Sequence, residues 1–392
     1  MANFLRKKYE NLTLTPGSGK ISAVISISIG ALAVCAALCF LFPNLLLTPE
    51  MRGLYQVDLM KTLLYIAVAI SFTFGWYSTI ANTRQRYGFT GIGLALSATI
   101  LSALPVGLSR YEIRGVYVGL DYFVLTLLIL ALVFIPLERA FSKNADQLTL
   151  RKGWVTDIKY FMFSHLGVQL IAFFTIIPVQ VLLHRYTDNP IQNWVYALPL
   201  WVQFFMILAV VDIGTYWIHR AMHEVPWLWK FHAVHHSSEH MDWLASSRLH
   251  VVEILANRFA GYLPIFLLGF APAAVFAYLV FISFHAIFIH ANVRFRFPVI
   301  RHLIATPEFH HWHHSSEDAA IDKNYAAFLP IYDRIFGTYY LPKHLASKYG
   351  TVSDDIPEGM WGQFLYPFNL KPKTHKMPTQ PASAPNIKRQ SR

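Results

Sequence analysis

The chain has 392 residues, of which 55% are hydrophobic and only 14% charged, with a net charge of +11 and a mean hydropathy of +0.38. Typical soluble domains carry about 25% charged residues, so this composition excludes an ordinary soluble protein and points to an all-α, polytopic helical membrane protein. The basic residues lie between apolar runs and in the C-terminal tail, where membrane-surface contact and topology explain them, and no nucleic-acid partner is expected.

In chain order, Arg6, Lys7 and Lys8 precede a first apolar run, Ile21–Leu47, too long for a signal-peptide core and read as a retained anchor. Cys35 and Cys39 lie inside it as small apolar helix residues, forming neither a disulfide framework nor a metal site. Further runs fall near Leu59–Ile80, Thr90–Val106, Val118–Ile135 and Phe161–Leu183, and another from Trp194 through Val211 to Ile218. Each approaches the ~20 residues that a span requires. Ile254–Ile289 is apolar again but broken at Gly269–Pro272, which predicts a hairpin dipping into or crossing the membrane. Residues 1–140 thus read as a block of about four transmembrane helices, and the Pro-rich basic residues 371–392 as a disordered tail.

Fourteen of the eighteen histidines lie between His219 and His314. Eight form three blocks: His219 and His223; His232, His235 and His236; His310, His313 and His314. On a helix, positions i, i+3 and i+4 share a face, so each block is expected to aim its imidazoles at a common point. An imidazole with a pKa near ~6.5 is mostly neutral at pH 7 and suits iron, zinc, copper or nickel. Together with His290 these make nine candidate metal ligands, enough for two metals. A zinc peptidase is excluded because Arg220 stands where the HExxH motif needs its glutamate.

The blocks and their flanks resemble the fatty acid hydroxylase / sterol desaturase superfamily of membrane enzymes. The resemblance is carried by Tyr216-Trp-Ile-His219-Arg220, Leu228-Trp-Lys-Phe-His232 through Ser237, Thr306-Pro307 through Ser315, Asn324-Tyr325, and Asp333-Arg334 through Thr338, with Arg248, His250 and Glu253 between. It covers about residues 150–345, taken as the catalytic domain, and leaves residues 1–140 outside. It implies a di-iron centre of two iron ions. It further implies an enzyme that hydroxylates or desaturates a C–H bond of a lipid drawn from the bilayer, using dioxygen and electrons from an external donor protein, cytochrome b5- or ferredoxin-like. A reading of another class is a histidine-rich membrane protein that handles zinc without oxidase chemistry; it would want ligands strung along a transmembrane path.

Other positions carry separate expectations. His290 resembles the family's isolated ligand between boxes two and three. His285 and His250 are weaker candidates for a tenth ligand, and His311 faces away from its block, at the surface or behind the ligands. Asp212, seven residues before His219, is expected to accept the outer ring N–H of a ligand histidine. Asp333 and Asn324 are similar candidates, whereas Glu224 and Glu308 are either ligands or solvated charges.

Basic residues before the first run, after the second, and from Arg139 to Lys159 orient the chain with its N-terminus inside. The histidine cluster then forms a helical cap on the cytoplasmic face, and a cysteine replacing Ser347 should react with an impermeant thiol reagent only once the membrane is opened. Labelling in intact cells would contradict this topology.

Overall fold

The computed structural model describes residues 19–369, apart from 53, 82–84, 105–116, 188 and 353–354. Residues 371–392, expected to be a disordered tail, and the basic residues Arg6, Lys7 and Lys8 lie outside the described residues. The described residues are all-α: no strand is present among them, only two isolated bridges, Ser142 with Val293 and Ser315 with Tyr349.

The principal helices are α1 (Lys20–Leu41), α2 (Val57–Ala81), α3 (Arg86–Ala103), α4 (Leu120–Ala140), α5 (Trp154–Leu166), α6 (Val168–Leu183), α7 (Pro190–Ala197), α8 (Leu200–Glu224), α9 (Pro226–His236), α10 (Val251–Leu268), α11 (Pro272–His290), α12 (Pro307–His313), α13 (Ile331–Ile335) and α14 (Met360–Leu365). Six of them are long and apolar enough to cross a membrane: α1, α2, α4, α8, α10 and α11. Helices α5 and α6 give a seventh if they form one span, bent by 48°. The single run expected at Phe161–Leu183 is therefore broken, with a turn at Gly167. The run expected at Thr90–Val106 forms α3, which is not among the six; its arginine, tyrosine, serine and threonine residues dilute its apolar character. The last run before the histidines is interrupted at Pro199, which separates α7 from α8.

The chain divides into two compact units. One comprises residues up to Val133 with Met162–Leu170; the other comprises Phe134–Phe161 with everything from Ile171 onward. The division falls inside α4, earlier than the boundary of 140–150 expected from the sequence.

In the first unit α1, α2 and α3 pack on one another around Ala33, Ala37, Leu64 and Ala98. Small residues let their backbones approach closely, as membrane helices require in the absence of a hydrophobic drive between them. A Cβ on Gly91 would sit 1.9 Å from Ser26 Oγ, so only glycine fits there. Ser26 Oγ donates to the Ser71 carbonyl (2.6 Å), and Ser71 Oγ returns a bond to the Ser26 carbonyl (2.8 Å).

The second unit is built on α8, which packs against α9, α10 and α11. Ile207, Leu208 and Val211 of α8 form its core with Ile265, Phe270, Ala274, Tyr278 and Phe328. The α10–α11 hairpin appears where Gly269–Pro272 predicts it. Gly269 takes φ +67°, and two glutamines staple the turn: Gln192 donates to the carbonyls of Phe266 (2.9 Å) and Leu267 (3.3 Å), and Gln203 accepts the Ala271 N–H (2.8 Å). These contacts satisfy backbone groups that the bilayer cannot. The hairpin returns the chain at His290 to the end of α8 that carries His219 and His223.

Candidate metal centre

Four helices supply the nine candidate histidines. His219 and His223 occupy the last two turns of α8. His232, His235 and His236 end α9, which Pro226 starts at a position where its missing N–H costs nothing. His290 ends α11. His310, His313 and His314 come from α12, whose N-cap Thr306 accepts the Phe309 N–H (3.4 Å).

The structure gathers these side chains into two groups, each with ligand atoms within 4.8 Å of one another. His219, His223, His232, His236 and His313 form group one, and His235, His290, His310 and His314 form group two. The sequence pattern had each block converging on a single point. Instead, the second and third blocks each serve both groups: His232 and His236 face group one while His235 faces group two, and His310 and His314 face group two while His313 faces group one. Helix geometry explains the split. Residues four apart differ by about 40° around the axis, but residues three and four positions on from the first differ from each other by about 100°.

The ring hydrogen bonds fix the chemistry of each group. Nδ1 of His219 donates to the Tyr325 carbonyl (2.6 Å), that of His235 to the Arg248 carbonyl (3.0 Å), that of His290 to the Ala286 carbonyl (2.6 Å), and that of His313 to the Lys323 carbonyl (2.9 Å). His232 Nδ1 and Glu253 Oε1 share a hydrogen bond (2.8 Å), and His223 Nδ1 faces Asp322 Oδ1 at 3.3 Å. A carbonyl can only accept, so the rings of His219, His235, His290 and His313 carry their proton on Nδ1 and, when neutral, a bare lone pair on Nε2. Burial, aided by neighbouring imidazoles, pulls the pKa values of His232, His235, His236, His310, His313 and His314 well below the ordinary value and keeps them neutral.

The Nε2 atoms then meet head to head. His235 and His290 approach at 3.2 Å although both have committed their proton to a carbonyl on the far side, so neither can donate to the other. His219, its proton likewise committed to a carbonyl, meets His232 at 3.0 Å. Two lone pairs at that distance repel, and a cation between them removes the conflict. Among the described residues, buried His223 Nε2 has no hydrogen-bond partner, and it belongs to the same set. The donors present, imidazoles several of which have their outer nitrogens hydrogen-bonded, fit a transition-metal ion in each group.

Several expectations need correction. Asp212 does not touch a ligand histidine. Its two oxygens accept the N–H groups of Phe328 (2.9 Å) and Leu329 (2.6 Å), fixing the loop that follows Tyr325 rather than a ring. Asp333 also acts on backbone, accepting the N–H groups of Tyr325 (2.7 Å) and Ala326 (2.9 Å), and so positions the carbonyl that holds His219. Asn324, at φ +61°, ties that loop to Phe309 and Tyr340. Glu224 pairs with Arg220 (2.8 Å), and buried Glu308 with Arg301 (3.2 Å); neither belongs to a histidine group.

His285 donates to the Ala305 carbonyl (2.9 Å), and His250 bonds the Phe364 carbonyl (3.1 Å) while its Nδ1 accepts the Val252 N–H (3.2 Å). Neither joins a group. Of the two places expected for His311, it takes the one behind the ligands: it is buried, its Nε2–H donates to the His290 carbonyl (3.3 Å), and Lys143 donates to its Nδ1 (3.1 Å). Sequence reasoning gave Glu253 no role, although it is the carboxylate that meets a ligand ring; its offset from Arg248 and His250 in the resembling segment was the available signal.

A buried ionic frame holds the loop behind His235. Arg151 pairs with Asp242 (2.7 Å) and Asp157 (2.6 Å), Asp157 pairs with Arg248 (2.6 Å), and the Arg248 carbonyl receives the His235 ring N–H.

Residues 204–338 match the family model described as fatty acid hydroxylase. Among curated proteins, the chain is 32% identical over 179 residues to ornithine lipid hydroxylase OlsE of Rhizobium tropici, covering 45% of this chain and 54% of that one. It is 37% identical over 140 residues to alkylglycerol monooxygenase of Homo sapiens (36% of this chain, 31% of that one), and 36% identical over 177 residues to alkylglycerol monooxygenase of Danio rerio (44% and 37%). The chain therefore spans about half or less of the length of these relatives. No solved structure matches it.

The anchoring bonds have a measurable consequence. Replacing an outer hydrogen-bond partner of a metal-binding histidine typically costs 10–100-fold in metal affinity. Purified Glu253→Gln protein should bind metal about tenfold more weakly at one of two sites, and His235→Ala should lose the other metal, both read by elemental analysis of protein dialysed against graded chelator. Unchanged metal content in both variants would contradict the grouping.

Proposed function

We propose, from the membership of residues 204–338 in the fatty acid hydroxylase family, that this membrane protein is a di-iron oxygenase that hydroxylates a C–H bond of a lipid. The carrying observation is the pair of histidine groups, nine imidazoles with ring nitrogens brought together, at the ends of the apolar helices α8 and α11. The relatives' names favour hydroxylation over desaturation, since they are called hydroxylase and monooxygenase. Their substrates, an ornithine lipid and an alkylglycerol, favour a polar lipid.

Group one would hold one iron through His219, His223, His232, His236 and His313, and group two the other through His235, His290, His310 and His314. Bound iron supplies the redox chemistry that activates dioxygen. The balanced reaction consumes one dioxygen, two electrons and two protons, inserts one oxygen atom into a C–H bond, and releases the other as water. The chain's own residues fix the imidazole tautomers, keep water out of the buried groups, and present them at the membrane edge where a lipid chain can reach. The electrons would come from a donor protein, cytochrome b5- or ferredoxin-like, as the resemblance of the histidine blocks implies.

Location on the cytoplasmic face follows the distribution of basic residues. Residues 141–153 share the face of the histidine cluster, because Lys143 contacts His311 and Arg151 contacts Asp242. Metal storage or transport is disfavoured, since the two groups sit together at the ends of the helices rather than along a transmembrane path.

Lipid extracts from cells expressing the protein under isotopically heavy dioxygen should contain a polar lipid heavier by one labelled oxygen, absent from cells expressing His313→Ala. Identical lipid profiles in the presence and absence of the protein would overturn the proposal.

A further inference from the structure

A second site lies beside the metal centre, at the end of α4. Glu138 is only 8% exposed, yet among the described residues no basic side chain forms an ion pair with it. One of its oxygens accepts two backbone bonds, from the N–H of Trp243 (2.7 Å) and of Asn292 (2.9 Å). Among the described residues no hydrogen bond reaches the other oxygen. The carboxylate lines a cavity of about 130 Å³ shared with Ser142, Asn144, Gln147 and Asn292. Arg139 also lines it, but its guanidinium is engaged with Thr149 Oγ1. The other Glu138 oxygen is open to the cavity, where a donor can reach it.

The placement matters as much as the chemistry. Glu138 stands in the last turn of an apolar helix able to span the membrane, and the ends of such helices are where lipid polar groups are met. Asn292, which lines the same cavity, follows His290 of group two by two residues. The cavity thus lies beside the stretch of chain that carries His290 of group two. An ionised carboxylate accepts hydrogen bonds and donates none. In that state the group that completes it is a donor.

We propose that this cavity is a headgroup subsite for the lipid, in which Glu138 accepts a hydrogen bond from a donor at the lipid's polar end, an ammonium or a hydroxyl group. The inference rests on the lipid-hydroxylase reading and adds to it the chemistry of the substrate's polar end. Held there, the lipid has its polar end at the membrane edge and its chain free to run toward the histidine groups. Residues 135–149, outside the matched family region, thereby select the substrate without contributing a metal ligand.

The test needs neither dioxygen nor turnover, so its outcome is independent of the product assay. Full-length protein in lipid nanodiscs is titrated calorimetrically with dodecylamine, dodecanol and dodecyltrimethylammonium, and the heats of empty nanodiscs are subtracted. Dodecylamine or dodecanol should bind saturably, the preferred one identifying the ammonium or the hydroxyl as the donor. Dodecyltrimethylammonium, charged but without a donor, should bind at least tenfold more weakly. Glu138→Gln should weaken the preferred ligand about tenfold, the scale of one hydrogen bond to a charged group. Ala145→Leu, which fills the cavity and spares the bonds to Trp243 and Asn292, should do the same and decides the matter if the glutamine variant misfolds. The proposal is overturned if neither donor ligand binds saturably, if the trimethyl compound binds equally well, or if the properly folded variants bind like the parent; the cavity then holds only water.

Discussion

The structure depends on one repeated interaction: an outer ring N–H of a buried histidine bonded to a fixed acceptor. Four of the nine rings use backbone carbonyls, at Tyr325, Arg248, Ala286 and Lys323, and one uses the Glu253 carboxylate. Each bond orients a ring, selects its tautomer and turns a lone pair inward. Without them the same side chains could pair with one another, Nε2–H to Nδ1, and would have no need of a cation. The strategy suits a membrane-edge site, where backbone acceptors are set by helix ends and loops that cannot drift.

Much of the second unit can be understood as support for those acceptors. Asp333 and Asp212 pin the backbone on either side of Ala327, with Asp333 fixing Tyr325 itself. The Arg151–Asp157–Arg248–Asp242 frame holds the carbonyl that receives His235. Breaking one partner of such a buried network leaves a charge uncompensated, which costs about 3–5 kcal/mol. Segment 138–144 braces the chain after His290 through Glu138, the Lys143 N–H to the Asn292 carbonyl (3.2 Å) and the Asn144 N–H to Asn292 Oδ1 (2.9 Å). Part of the metal-holding unit therefore lies ahead of residue 150, where the family resemblance begins.

The sequence made the helical class, the hairpin at Gly269–Pro272 and the nine histidines legible, because apolar run length and i, i+3, i+4 spacing are local properties. What it hid was set by tertiary contacts. The division of each HxxHH block between two groups depends on how α9 and α12 face each other. Asp212 lies on the helix face of His219 but reaches a loop more than a hundred residues later in the chain. His311 points away from its own block, yet Lys143 and the His290 carbonyl bury it. Glu253 contacts His232 across 21 residues, a distance that no local pattern encodes.

The account's central claim is that the outer Nδ1–H bonds commit Nε2 of each anchored ring to the metal. Nitrogen-resolved NMR of the full-length protein carrying isotopically labelled histidine and loaded with diamagnetic zinc tests it directly. His219, His232, His235, His290 and His313 should show a protonated Nδ1 and a metal-bound Nε2. Metal on Nδ1, or imidazolium signals from these rings at neutral pH, would contradict the account.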